Sequence, residues 1–281
     1  MIIDFHTHAF PDKIADQAIA FLKENSRTIP FTDGRYSSLS KRAKGAGVDL
    51  SLVMPVVTHP SSTRTINAFA AKINETTKET GLFSFGGIHP DSADIKSDLK
   101  EIYELGLKGV KIHPTFQKVA LNDLRYKRII ALADELGLIV LAHGGKDIGA
   151  LGDFSRPEMA EEILDEIAPK RFVMAHMGGW GQWEEVKNRL IGRDIYLDTA
   201  FSLKTFNYRE DVPKASRQQV LKRDEFLKMV KDHGVNKILF GTDSPWSDQT
   251  EQIEYLRSMP LEESEKAAIL GGNAVKLLKL V

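Results

Sequence analysis

Residues 109–145 read GVKIHPTFQKVALNDLRYKRIIALADELGLIVLAHGG, and this stretch decides the fold. Its ends, GVKI from Gly109 and LIVLA from Leu138, are short apolar runs of strand length. Between Asn122 and Leu136, the apolar residues Leu124, Ile129, Leu132 and Leu136 keep to one helical face. Gly137 follows as a helix-terminating residue free to take positive φ. The unit is therefore β–α–β, and each strand runs directly into a histidine, His113 or His143.

The same pattern continues in both directions. Further strand candidates are MIIDFH at the start, VDLSLVMPV from Val48, LFSFGGI from Leu82, RFVMA from Arg171, DIYLDT from Asp194 and KILFGT from Lys237. Gly47, Gly81 and Gly234 stand before strands as Gly137 does. Eight βα units within 281 residues predict an α/β chain folded as a (β/α)8 TIM barrel, one domain over residues 1–281. An open doubly wound sheet also alternates strands and helices, but no GxGxxG follows the first strand. Two stretches exceed the plain loop length: residues 25–40 after the first unit and residues 200–216 after the seventh strand. Long loops on a barrel are expected to bind or cover ligands rather than build scaffold. The tail from Leu261 reads as two short helices separated by Gly271 and Gly272.

Composition excludes several functions. The 38 basic and 39 acidic residues leave a net charge of −1, which argues against electrostatic capture of nucleic acid or an anionic membrane. With no cysteine, disulfides, cysteine–zinc sites and thiol nucleophiles are ruled out. MIIDFHTH has neither the basic start nor the apolar run of a signal peptide, and no apolar run is of membrane-spanning length. A cytoplasmic protein acting on a small molecule is the expectation, and a homodimer is compatible with it.

Seven of the eight histidines lie at or just beyond a predicted strand end: His6, His8, His59, His89, His113, His143 and His176. In a barrel that rim carries the chemistry. A lone histidine is most often a satisfied structural residue; seven on one rim are not. His6 and His8 flank Thr7, so strand alternation points both imidazoles to one side, and Asp4 shares their parity. His143, His176 and, in FGTDSP, Asp243 end strands five, six and eight. His6, His8, His143 and Asp243 make a set of three or four ligands for one divalent ion, zinc ahead of manganese.

An HxH on strand one, histidines ending strands five and six, GVKIHP on strand four, GTDSP on strand eight and the tail ILGGNAVKLL together resemble the amidohydrolase superfamily. The likeness is closest to the branch of metal-dependent hydrolases and the aminocarboxymuconate semialdehyde and resorcylate decarboxylases. It implies His6, His8 and His143 as metal ligands, Asp243 as ligand and general base, and His176 as the residue that orients water and substrate. The metal would draw the pKa of water towards ~7 and polarise a substrate oxygen.

Lys111 and His113 share a strand parity and are candidates to touch substrate, as is Asp198 in YLDTA. Asp4 is read as a residue that holds a neighbouring side chain in place. Arg35, Arg64, Lys146, Arg156 and Arg209 are loop cations able to clamp a carboxylate. The leading expectation is hydrolysis of a small, carboxylate-bearing ester, lactone or amide. The alternative is metal-dependent, non-oxidative decarboxylation of a small aromatic or unsaturated acid. Phosphoesterases and nucleases that also open on HxH are expected to carry an acid where this chain has GVKIHP. A barrel reused as a binding scaffold would be expected to have lost its ligands.

Overall fold

In the computed structural model all residues are described except Leu151, Thr205, Ala215, Ser216, Gln218, Gln219 and Val281. Nine strands occur among the described residues: β1 (Ile3–Thr7), β2 (Leu50–Val53), β3 (Leu82–Ser84), β4 (Gly86–Gly87), β5 (Gly109–Ile112), β6 (Ile139–Ala142), β7 (Phe172–Met174), β8 (Tyr196–Asp198) and β9 (Ile238–Leu239). β3 and β4 are two halves of one stave either side of Phe85, so the nine runs make the eight staves the sequence predicts. Every neighbouring pair is parallel. The ring closes between the last stave and the first, where Phe5 N donates to Phe240 O at 2.7 Å and Asp243 N to His6 O at 2.8 Å.

Alternation along the strands builds two apolar layers. Val110, Ile112, Val140, Ala142, Leu197 and Phe240 pack outward with the helices. Ile3, Phe5, Leu52, Phe85, Leu141, Val173 and Leu239 fill the barrel, with Phe5 and Phe85 edge to face at 5.9 Å. Leu277 and Leu278, from helix Asn273–Leu278, join this inner cluster. Here the structure departs from the sequence reading: Gly271 and Gly272 do not separate two helices. They lie in a wide helical turn, Ala268–Gly272, that runs on into Asn273–Leu278.

The two long stretches also differ from expectation in extent. Helix Asp12–Ser26 and helix Tyr36–Gly45 claim both ends of 25–40, leaving 27–35 irregular. The described part of 200–216 is irregular, and Thr205, Ala215 and Ser216 fall outside the described residues. The two stretches pair with each other: Ile29 N donates to Asn207 O at 2.7 Å and Arg209 N to Arg27 O at 2.9 Å. Among the described residues no helix is long and apolar enough to cross a membrane.

Candidate metal centre

Strand ends bring the predicted histidines together because a parallel barrel points all its carboxyl ends one way. His6 is fully buried, and its Nδ1 lies 2.8 Å from Asp198 Oδ2. Asp198 Oδ1 accepts from the backbone N–H of His176 at 2.9 Å and of Ala200 at 3.0 Å. A carboxylate so placed can only accept, so the His6 proton sits on Nδ1 and the lone pair on Nε2. His8 is fixed the same way, with Nδ1 2.8 Å from the Met54 carbonyl.

The two Nε2 atoms face each other at 3.2 Å, and Asp243 Oδ1 lies 3.3 Å from the first and 3.2 Å from the second. Three lone-pair donors thus converge with no proton between them. Donors ~2.1 Å from a tetrahedral ion stand ~3.4 Å apart, so this triangle fits a zinc-sized cation. Burial, then the charge of Lys111, lowers the His6 pKa to about 4 against the opposing pull of Asp198 and Asp243, so the ring is neutral at neutral pH. Lys111 Nζ is a cationic donor at the triangle, 3.2 Å from His6 Nε2. Its own burial lowers its pKa to about 8, with Asp198, Asp243 and Asp147 resisting.

A second facing pair lies alongside. His143 Nε2 is 3.1 Å from Lys146 O and His176 Nδ1 is 2.9 Å from Ala200 O, so both carbonyls take a ring proton. The remaining nitrogens, His143 Nδ1 and His176 Nε2, face each other at 3.1 Å. The GG pairs after these histidines let the two loops touch: a Cβ on Gly144 would come 2.5 Å from Ala175 O. His176 and Asp243 adopt φ of 60° and 63°, a left-handed conformation costly for non-glycine residues and concentrated at functional sites.

The family profile described as Amidohydrolase matches residues 3–280, nearly the whole chain. The chain belongs to the amidohydrolase family. It is an enzyme with a TIM-barrel fold. No curated protein matches it in sequence. Among solved structures it resembles an uncharacterized TIM-barrel protein from Bordetella bronchiseptica (18% identity, TM-score 0.75, covering 99% of this chain and 98% of that one). It also resembles 5-carboxyvanillate decarboxylase from Sphingomonas paucimobilis (15% identity, TM-score 0.70, 99% and 98%). A third is a dihydroxybenzoic acid decarboxylase from Polaromonas sp. JS666 with bound manganese and 2-nitroresorcinol (14% identity, TM-score 0.66, 99% and 97%).

In this amidohydrolase the predicted residues do not all fall where the sequence reading puts them. His143 stands outside the His6–His8–Asp243 triangle; its ligating atoms group with His113 and Asp147. Asp198 is not placed to touch substrate: it lies beneath His6 and His176 with both oxygens bonded inside the protein. The Asp4 side chain parts from that of His6 because the β1 register shifts between Asp4 and Thr7. Its carboxylate accepts from Thr242 N at 3.0 Å, Thr242 Oγ1 at 2.6 Å and Gln249 Nε2 at 2.7 Å, and from the His6 backbone N–H at 3.4 Å. It does hold neighbouring side chains in place, bracing the residue before Asp243.

Lys111 and His113 do reach the cluster, His113 stacking on His143 at 4.1 Å between ring centroids. Asp147, 3.5 Å from His113 Nε2, went unread in the sequence; its signal was an acid four residues after His143. Four of the loop cations are already neutralised: Arg35 by Asp16 and Asp33, Arg64 by Glu101, Arg156 by Glu158 and Glu185, Arg209 by Glu24 and Asp211. Lys146 is exposed. Trp180, Phe201, Phe206 and Trp246 form a buried aromatic cluster, reaching the centre where Phe201 meets His176 ring to ring at 6.5 Å.

Proposed function

We propose that this amidohydrolase is a metal-dependent, non-oxidative decarboxylase of a small aromatic or unsaturated carboxylic acid. The observation that carries the reading is a buried aromatic cluster that meets His176, whose ring lies 5.3 Å from His6 of the triangle of cation-seeking donors. A flat ring is matched by the apolar wall, and its oxygens by the polar floor. The resemblance to solved decarboxylases supports the same reading.

His6 Nε2, His8 Nε2 and Asp243 Oδ1 would hold one divalent ion, zinc or manganese, since nitrogen–oxygen donor sets accept both. When bound, the ion supplies a positive charge that polarises substrate oxygens. Asp198 keeps His6 in the required tautomer, and the Met54 carbonyl does the same for His8. Lys111 holds the substrate carboxylate in the buried floor. The Trp180–Phe201–Phe206 wall keeps water out, which favours conversion of a solvated carboxylate into neutral CO₂. As the C–CO₂ bond breaks, its electron pair stays on the ring or vinyl carbon, which must gain a proton. Asp243 Oδ1 is committed to the histidines, so Oδ2 is the atom that relays to that carbon a proton taken from water, with His176 orienting the substrate.

Hydrolysis of a small ester, lactone or amide is the second reading, favoured by the second oxygen of Asp243, which the triangle does not use, as a base for water. The two separate in one assay. Metal-loaded protein is incubated in D₂O with hydroxybenzoates and, separately, with lactones and esters. Decarboxylation releases CO₂ and leaves one deuterium at the former carboxyl carbon. Ester or lactone opening without CO₂ from any acid would replace this reading with the hydrolase.

A further inference from the structure

Trp180 is 2% exposed, yet its indole Nε1 has no hydrogen-bond partner. A buried tryptophan N–H usually finds an acceptor, and an unmet donor costs ~1–3 kcal/mol. Trp183, three residues on, shows the ordinary case, donating to His176 O at 3.1 Å. The backbone of Trp180 is pinned to the loop after His143: its N donates to Gly144 O at 2.9 Å, and its O accepts from Lys146 N at 3.0 Å. Its ring lies 5.6 Å from Phe201 and 6.2 Å from Phe206. The Trp180 ring is therefore held in the aromatic wall against the loop that follows His143, and Phe201 links that wall to His176 at 6.5 Å between ring centroids.

We infer that the Trp180 indole N–H is a substrate-binding donor, reserved for an oxygen of the aromatic acid. This rests on the decarboxylase reading and adds to it a named specificity residue. Two features of the site point the same way. Four arginines singled out in the sequence, Arg35, Arg64, Arg156 and Arg209, are held in ion pairs, and Arg217 lies over the Tyr208 ring, which leaves the indole N–H as the unpaired donor of the wall among the described residues. In apolar surroundings a single neutral N–H is a strong and selective partner for an anionic oxygen, because little water competes. A substrate lacking that oxygen would leave the indole unpaired and be rejected for it.

The chain has three tryptophans, so a ¹H–¹⁵N spectrum carries three indole signals, and Trp180→Phe identifies one by its loss. The probe is 2,6-dihydroxybenzoate added to metal-loaded protein. The expected result is a downfield shift of the Trp180 indole proton in the wild type. Trp180→Phe, which keeps a ring in the wall, should weaken binding about tenfold, as loss of a hydrogen bond to a charged group does. A probe that binds while the Trp180 signal stays still, with Trp180→Phe binding within twofold, overturns this inference and leaves the decarboxylase reading standing. A wild-type holoenzyme that does not bind the probe overturns this inference for aromatic acids, while the decarboxylase reading stands or falls on the separate CO₂-release assay. Trp183→Phe and Trp246→Phe assign the other two indole signals, so the Trp180 signal is identified by elimination even if Trp180→Phe fails to fold.

Discussion

Asp198→Asn changes one atom and should weaken metal binding by up to about 100-fold. Oδ1 of Asp198 accepts two backbone N–H groups, from His176 at 2.9 Å and Ala200 at 3.0 Å. An asparagine must keep its oxygen on that side, since turning the amide towards two donors would strand three N–H groups in a buried site at ~1–3 kcal/mol each. Its NH₂ then faces His6 Nδ1, 2.8 Å away in the wild type, and needs a lone pair there. The His6 proton is driven to Nε2, into the triangle it shares with His8 and Asp243. Outer-shell partners of this kind are worth 10–100-fold in metal affinity, or about 1.4–2.8 kcal/mol. A forced change of tautomer places this variant at the upper end. Calorimetric titration of apo-protein with Zn²⁺ and Mn²⁺ measures it, with circular dichroism confirming the fold. Wild-type affinity in Asp198→Asn would refute the tautomer argument and, with it, the case that lone pairs rather than hydrogen bonds define the triangle.

Elemental analysis should find about one divalent ion per chain, lost in His8→Ala; two ions would show a second site, for which His113, His143 and Asp147 are the candidate group. Gly145→Ala should lower stability by about 1–3 kcal/mol, because its φ of 80° disfavours a side chain and a Cβ would collide with the Trp180 backbone; thermal unfolding reads it. His233 is held neutral, Nδ1 accepting from Gly192 N at 3.1 Å and Nε2 donating to Ile195 O at 2.9 Å, and burial lowers its pKa below 6.5. The unfolded chain therefore binds the extra proton first, so stability falls as pH drops below 6.5. His233→Gln should flatten that part of the urea-midpoint profile, and an unchanged slope would show that other groups carry it.

The barrel was legible because its signals are local. Each apolar run, each following glycine and each strand-end histidine is read within a few residues, and parallel closure then carries the histidines to one rim. Asp4 marks where local reading fails. Period-two alternation assumes a regular strand, and one extra residue in β1 between Asp4 and Thr7 breaks it. Nothing in IIDFHTH shows the bulge, since it is set by pairing with Ser51 and Val53, more than forty residues on.

Asp198 and Asp147 were harder to read for a related reason. A carboxylate's role depends on which atoms it faces, and those come from other strands. Asp198 ends β8, and its partners are His6 on the first stave and two backbone N–H groups beyond the sixth and seventh. The sequence therefore shows which residues reach the rim, while the fold decides how their protons are distributed. That distribution separates a metal centre from a hydrogen-bonded cluster. Had Asp198 and the Met54 carbonyl been placed against the Nε2 atoms instead, the same histidines would turn protons towards Asp243 and have no use for a cation. The proposed function rests on four acceptor atoms behind the histidines: Asp198 Oδ2 and the carbonyls of Met54, Lys146 and Ala200.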